Sequence, residues 1–144
     1  MIQVRQARTD ERPRVEVFYR ENDSFVAIVP SDVVIVAEDG GAVCGVVRLC
    51  REDGVLVLRG MHLREDVRRQ GIGTRMLRAA EPLIGGRVCF CIPYSHLRAF
   101  YGQVGFVEID PTEAPPFLRE RCAAYVRSGL DAILMRRPGK PAAD

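Results

Sequence analysis

Lysine is almost absent from this chain of 144 residues: Lys140 stands against twenty arginines, and tryptophan does not occur. The simplest reading of the arginine excess is a codon or genome bias, although planar guanidinium groups also suit phosphate recognition. The chain is equally short of net charge, with a formal value of +2 at pH 7. This balance predicts no broad basic field, so nucleic acid is not an expected partner.

Long apolar runs are missing as well, so no membrane-spanning segment is expected. Residues 1–8 carry early charge and lack the apolar segment of a secretory signal peptide. The cysteines are odd in number and lie inside apolar stretches, which is typical of buried thiols in a reducing compartment: Cys44, Cys50, Cys89, Cys91 and Cys122. We therefore expect a cytoplasmic protein without disulfides. No paired histidine spacing accompanies the cysteines, so no metal site is expected.

The chain has the length and composition of a single globular domain, with 47% apolar and 28% charged residues. Periodicity and turn signals predict helices at 11–20, 74–84, 95–104 and 117–127, and strands at 2–7, 33–37, 42–49, 55–63, 88–92, 106–109 and 130–135. Strands precede, flank and follow the helices, which favours an α/β (α+β) fold with a mixed central sheet. We expect one domain over residues 1–137 and a flexible tail over 138–144.

A strand, a turn rich in arginine and glycine, and a helix follow one another between residues 55 and 84. A helix N-terminus offers unpaired amide N–H groups and partial positive charge, and glycine lets an anion approach the backbone. Arg68 and Arg69 add cationic forks, and Thr74 adds a hydroxyl. Residues 68–74 are therefore predicted to bind a phosphate group.

Two common nucleotide loops do not fit this turn. A Walker-type loop ends in Gly-Lys-Ser/Thr, but the only Gly-Lys pair, at Gly139, is followed by proline in the tail. A dinucleotide fingerprint needs a third small residue three positions after Gly73, where Met76 stands, and an acidic residue at the end of the next strand, which is missing near Ile92.

The pattern Arg68-x-x-Gly71-x-Gly73 resembles the acyl-CoA motif of the GNAT acetyltransferase superfamily, Gln/Arg-x-x-Gly-x-Gly/Ala. Downstream, Phe100-Tyr101 followed by Gly105-Phe106 resembles that family's terminal motif, commonly Leu/Phe-Tyr-x-x-x-Gly-Phe. The resemblance covers residues 55–109 and implies a single GNAT-like domain. Two neighbouring parallel strands, at 55–63 and 88–92, would splay apart into a V-shaped slot flanked by helices.

The resemblance also implies that acetyl-CoA is the donor substrate and that no metal takes part. The pantetheine arm would lie in the slot and pair with backbone groups of Met61 and Leu63, which flank His62. Backbone amides of residues 69–74 would take the pyrophosphate. The implied cofactor-binding residues are Met61, His62, Leu63, Arg68, Arg69, Gln70, Gly71, Ile72, Gly73 and Thr74.

Direct attack of an amine on the thioester needs an oxyanion donor and a proton donor for the leaving thiolate. A backbone N–H near Leu63 is the candidate for the first role. By the resemblance, Tyr101 is the catalytic general acid, and the alternative is that it only packs beside Phe100 and hydrogen-bonds a neighbour. The base is left open among Glu38, Glu52, His62, Glu108 and a chain of waters.

The acceptor is expected to be a primary amine, either a small amine or amino acid or an amine on a protein. Tyr94 stands where the family often has asparagine, which puts one contact to the pantetheine arm in doubt. The helix at 117–127 adds a wall on which Arg119 or Arg121 is a candidate to bind a carboxylate. The alternative function is a non-catalytic acyl-CoA-binding regulatory module, and terminal edge strands suggest a homodimer.

Overall fold

The computed structural model describes residues 1–140, so the last part of the predicted tail, 141–144, lies outside the described residues. The elements follow the chain in the order β1 (Ile2–Gln6), α1 (Arg12–Glu21), β2 (Val33–Asp39), β3 (Ala42–Glu52), β4 (Val55–Leu63), α2 (Ile72–Ile84), β5 (Cys89–Cys91), α3 (Arg98–Gly102), β6 (Val107–Glu108), α4 (Pro116–Arg127) and β7 (Met135–Arg137). Within residues 1–140, no helix is both long and apolar enough to cross a bilayer.

The strands form one sheet in the order β1-β2-β3-β4-β5-β7-β6. The first four strands are an antiparallel meander, β5 is parallel to β4, and the last two pairings are again antiparallel. The mixed central sheet predicted from the sequence is therefore confirmed.

The two parallel strands separate soon after they meet. Their ladder holds only the pairs Leu56↔Cys89 and Val57↔Phe90. β4 then runs on to Leu63, while β5 ends at Cys91. The predicted splay of neighbouring parallel strands is confirmed, and it leaves six residues of β4 facing a gap, 58–63.

A β-bulge interrupts β4 within this stretch, which has no partner on the β5 side but still pairs with β3. Arg48 pairs with Arg59 and Val46 pairs with His62, so β4 has one residue more than β3 between these two pairs. Gly60 lies in the bulge with a φ of 67°, in the left-handed region. A glycine inside a strand is typical of a bulge or of a close backbone approach, and here it marks a bulge.

The helices cover the two faces of the sheet unequally. On one face, α2 and α3 pack on a single large core, whose members include Met76, Leu77 and Tyr101. On the other face, α1 packs over β2 and β3 around Phe18, while α4 packs over β4 and β5 around Leu118. These last two cores are separate clusters, and a polar strip of sheet lies between them.

Several element boundaries differ from the expected ones. An aspartate directly before the predicted helix at 11–20 indicates an N-cap at Asp10. In the structure a 3-10 turn at Thr9–Glu11 comes first, and Glu11 takes the N-cap position instead. The final strand starts only at Met135 rather than at residue 130. Instead of joining the ladder, the preceding segment bonds to the chain just beyond β5, where the amides of Ser95 and Ile133 donate to Asp131 and Pro93.

The apolar patterns were largely correct about burial. All five cysteines are buried and free. Leu118 and Cys122 of α4 are buried as expected, but Val126 is 53% exposed. Val126 lies near the end of α4 and does not belong to the core cluster that contains Leu118 and Cys122.

Candidate active site

A cavity of about 430 Å³ opens where β4 and β5 part. One wall is β4 from Val57 to His62, and the opposite wall is the chain from Cys91 to Tyr94. Tyr19 of α1 and Tyr125 of α4 close it on the face of the sheet that these helices share. The splay of the two strands therefore creates a pocket whose floor is exposed sheet backbone.

The predicted anion turn lies at the start of α2. Gly71 is the helix N-cap and has a φ of 78°, and Arg69 also adopts a left-handed φ of 62°. The first amide that bonds within the helix belongs to Arg75, which donates to the Gly71 carbonyl at 3.1 Å. The amides of residues 72–74 come before it and have no helical acceptor. The backbone is therefore in the conformation that an anion site needs.

The two glycines of the motif have different physical roles. A Cβ on Gly71 would meet no atom within 4 Å, so this position needs glycine only for its backbone conformation. Gly73 is buried in α2, and a Cβ there would lie 3.0 Å from Cζ of Phe100. The second glycine is therefore required for packing of α2 against α3 as well as for access to the backbone.

Side chains of the turn brace it in place. Nε of Arg68 donates to the Leu63 carbonyl at 3.0 Å, and Nε2 of Gln70 donates to the Asp66 carbonyl at 3.0 Å. The Thr74 hydroxyl donates to Oε1 of Gln103 at 3.3 Å. The side chains of Arg69 and Arg68 are exposed, whereas Ile72 is buried in the core. These three hydrogen bonds fix the turn to the strand before it and to α3.

Backbone groups at the end of β4 face the gap between β4 and β5. The amide of Arg64 donates to the Cys44 carbonyl of β3 at 2.7 Å. Because successive backbone groups of a strand point to opposite sides, the groups of Leu63 and Met61 point away from β3, toward β5. The Leu63 carbonyl accepts a hydrogen bond from Nε of Arg68 on that side.

Tyr101 reaches the cavity from α3. It is 7% exposed, and its ring makes edge contacts with Phe100 and Phe106. Its hydroxyl makes no hydrogen bond with any residue in 1–140, although it is not sealed from the cavity. The alternative in which this hydroxyl bonds a neighbour is therefore not what the structure shows. Burial raises the pKa of Tyr101 above its ordinary value of 10.0, so the phenol stays protonated at neutral pH.

The four side chains considered as a base are placed very differently. Glu38 is held by Arg5 at 3.0 Å, and Glu108 is held by Arg98 at 2.8 Å, both away from the cavity. Glu52 bonds Arg59 and Arg121, and neither Glu38, Glu52 nor Glu108 lines the cavity.

His62 is the candidate base that the cavity contains. Its ring lies edge-on to Tyr19, with centroids 6.1 Å apart. Burial, and then the charge of Arg68, lower the pKa of His62 from its ordinary 6.5, so the imidazole is neutral at pH 7. Among cavity-lining side chains in residues 1–140, it alone has an ordinary pKa near neutrality.

Sequence reasoning missed three cavity residues: Tyr19, Arg48 and Arg59. Arg48 is 8% exposed and donates from Nε to the Tyr19 hydroxyl at 3.1 Å. The signal that was present is an arginine inside an otherwise apolar strand, since a buried guanidinium is rare unless it is paired or functional. Tyr19 was read only as a core residue of the first helix.

The fold is of the GNAT type. Residues 30–108, more than half of the chain, match the family model described as an acetyltransferase (GNAT) domain. The chain therefore belongs to this family. Comparison with curated proteins found no significant relative.

Many solved structures share the fold at low sequence identity. The Escherichia coli ribosomal-protein-S18-alanine N-acetyltransferase superposes with a TM-score of 0.72 at 16% identity, covering 100% of this chain and 97% of its own. An aminoglycoside 6'-N-acetyltransferase complexed with coenzyme A gives 0.69 at 13% identity and 99% coverage of both chains. N-acetylglutamate synthase from Neisseria gonorrhoeae, complexed with coenzyme A and N-acetyl-glutamate, gives 0.67 at 15% identity; 98% of this chain corresponds to 36% of that one.

Proposed function

We propose that the protein is an N-acetyltransferase that moves the acetyl group of acetyl-CoA to a primary amine by direct attack in a ternary complex. The observation that carries this proposal is the convergence of three features on one cavity. These are the unpaired end of β4, the free hydroxyl of Tyr101 and the neutral imidazole of His62. The preformed turn at residues 68–74 follows directly from the same strand.

The described residues fit acetyl-CoA as donor substrate. The amides of residues 72–74 and the exposed guanidinium groups of Arg68 and Arg69 supply positive potential for a pyrophosphate. The free edge of β4 offers Met61 and Leu63 to an amide-containing arm that lies along it like a strand. Ile72 and Gly73 hold the start of α2 against the core, which fixes where these amides point.

The chemistry assigns one task to each cavity group. The amine nitrogen forms a bond to the acetyl carbon, and the carbon–sulfur bond breaks. The N–H of Leu63 stabilises the negative charge on the carbonyl oxygen. His62 takes the proton that the amine loses, and Tyr101 gives a proton to the departing sulfur.

Structural neighbours support the donor but point to different acceptors. Two of them are complexed with coenzyme A, one with N-acetyl-glutamate as well, and a third is named for a ribosomal protein. Such low identities fix no acceptor for this chain. We place a small amine or amino acid first and a protein amine second. A cytoplasmic location and a homodimer joined through edge strands stay predictions.

The test is acetyl-CoA turnover over a panel of amines, followed by release of the CoA thiol. We expect saturable acetyl-CoA binding and amine-dependent thiol release. Binding without release on any amine would favour the alternative, a non-catalytic acyl-CoA-binding module, and the lack of any Asp or Glu among cavity-lining residues in the described chain makes that alternative worth testing. Failure of acetyl-CoA to bind would remove both functions.

A further inference from the structure

Two arginines lie side by side on the floor of the cavity. Arg48 of β3 and Arg59 of β4 are direct partners in the antiparallel ladder, so both side chains emerge on the same face of the sheet. This is the face left open between the α1 core and the α4 core. Like charges in such a pair destabilise a sheet, so their presence needs a compensating partner.

The carboxylates near these arginines do not balance the charge at the cavity. Asp32 lies 3.6 Å from Nη1 of Arg48, and Glu52 lies 3.1 Å from Arg59. Arg121 of α4, which also lines the cavity, meets the same Glu52 at 2.5 Å. Three guanidinium groups thus share two carboxylates, and neither carboxylate lines the cavity. One positive charge is left to face the pocket.

Arg48 has an unused donor at the cavity wall. Its Nε is taken by Tyr19, and its Nη1 faces Asp32 and Cys50. Its Nη2 lies beside the Gly60 bulge, where a Cβ would be only 3.1 Å away. Within residues 1–140 no side chain or backbone oxygen accepts a hydrogen bond from this atom. Nη2 is not sealed inside the protein, so an acceptor on a ligand can reach it through the cavity.

We infer that the acceptor amine carries a carboxylate, and that the amine is a free α-amino acid whose carboxylate lies over Arg48 and Arg59. This inference rests on the proposed N-acetyltransferase function. A carboxylate there would relieve the paired charges and accept from Nη2 of Arg48. Much of the remaining pocket wall is apolar or aromatic, which suits an apolar or aromatic amino-acid side chain: Val26, Ile92, Tyr94, Leu97, Tyr125 and Leu130.

The same charges select against other acceptors. A polyamine or an aminoglycoside would bring positive charge to a cavity that has no acidic lining within residues 1–140. The N-terminal residue of a polypeptide offers an amine, but its own carboxyl group is locked in a neutral peptide bond. An amino-acid carboxamide copies that situation, so it separates a free amino acid from a protein N-terminus.

The experiment is a calorimetric titration of the CoA-saturated protein with the twenty standard L-amino acids, their carboxamides and spermidine. We expect at least one amino acid to bind about tenfold or more tightly than its own carboxamide. Arg59→Gln should remove this preference, because one of the two paired positive charges is gone. The substitution leaves no carboxylate unpaired, because Glu52 keeps Arg121 as its partner. Arg121→Gln tests the same charge from α4. The matched control is Arg51→Gln, an exposed residue of β3 outside the cavity, which should preserve the preference.

Equal binding of amino acids and carboxamides, tighter binding of spermidine, or no binding of any amino acid would overturn the inference. Thiol release measured on the same panel separates this result from the proposed function. Carboxylate-selective binding without thiol release supports the carboxylate site and removes the acetyltransferase. Thiol release that is equally fast with carboxamides keeps the acetyltransferase and removes the carboxylate site.

Discussion

The hydroxyl of Tyr19 donates a hydrogen bond of 2.7 Å to the carbonyl of Gly60 and accepts one of 3.1 Å from Nε of Arg48. This single group ties α1 to the bulge of β4 and to the charged floor of the cavity. A Cβ on Gly60 would lie 2.5 Å from the same hydroxyl, so the bulge and the phenol fit only without a side chain. The shape of the pocket wall is therefore set from the first helix.

Replacing Tyr19 with phenylalanine should lower the free energy of unfolding by about 2 kcal/mol, because a buried carbonyl and a buried guanidinium N–H both lose their partner. Urea denaturation at pH 7 measures the change. Tyr125→Phe is the control, since that hydroxyl also lies at the cavity but bonds no residue among 1–140; it should stay within about 0.5 kcal/mol. Equal, small changes in both variants would show that the Tyr19 network contributes little.

Gly73→Ala should destabilise the protein by about 1 to 3 kcal/mol, because the new methyl group presses on the Phe100 ring. A second change, Phe100→Leu, should recover part of that loss by making room. A double-mutant cycle on thermal unfolding measures the coupling. Gly102→Ala is the control: a Cβ there meets nothing within 4 Å, so it should be neutral. Additive effects of the two substitutions would contradict the packing role of Gly73.

Glu11→Gln should cost about 2 kcal/mol of stability at pH 7, and the cost should be smaller at pH 3, where part of the stabilisation is already lost. Hydrogen bonds from Arg5, and then from the Arg8 amide, lower the pKa of Glu11 from 4.5 to about 2. A carboxyl with a depressed pKa stabilises the fold above its unfolded value, and this stabilisation is lost as pH falls from 4.5 toward 2. Urea denaturation at pH 7 and pH 3 measures it.

The control for this ion pair is Asp10→Asn, whose carboxylate is exposed and meets only Arg8. It should change stability little at either pH. A constant difference between wild type and Glu11→Gln across this pH range would mean that the side chain stabilises by shape rather than by charge.

Much of the fold was readable from the sequence because its signals are local. The Asp53-Gly54 turn marks the hairpin between β3 and β4, and the actual strand at Val55–Leu63 matches the predicted one residue for residue. The glycine turn before α2 was readable for the same reason: its glycines, its arginines and the helix that follows lie within a few residues of one another.

What could not be read are contacts between distant segments. Arg48, Arg59 and Tyr19 belong to three elements, and only the sheet register and the docking of α1 bring them together. Arg121 was proposed to bind a carboxylate, but the sequence could not show that Glu52 already occupies it. The charged part of the cavity therefore emerges only from tertiary structure.

Tyr101→Phe should lower kcat by about 100-fold while acetyl-CoA binding stays unchanged, because the ring remains and only the proton donor is lost. Steady-state kinetics and a CoA titration measure the two effects separately. Tyr94→Phe serves as the control: it lines the same cavity, yet it is not placed in the chemistry. An unchanged kcat in Tyr101→Phe would leave this residue a purely structural role beside Phe100.

His62→Gln should remove the acidic limb of the pH profile of kcat/KM. In the wild type, activity should rise with pH as the imidazole loses its proton. Because burial and the charge of Arg68 lower the pKa of His62, this limb should lie below pH 6.5. Arg68→Gln should move the limb upward, toward the ordinary value, since one of the two causes is gone.

The matched control for His62 is the substitution His96→Gln. His96 is the other histidine of the chain; it stacks on Tyr94 but does not itself line the cavity. It should leave both the limb and its position unchanged. The decisive comparison is between the two histidine variants at low pH. If the acidic limb survives in His62→Gln, the general base is a chain of waters and not His62. The ion-paired Glu38, Glu52 and Glu108 do not line the cavity and are not candidates.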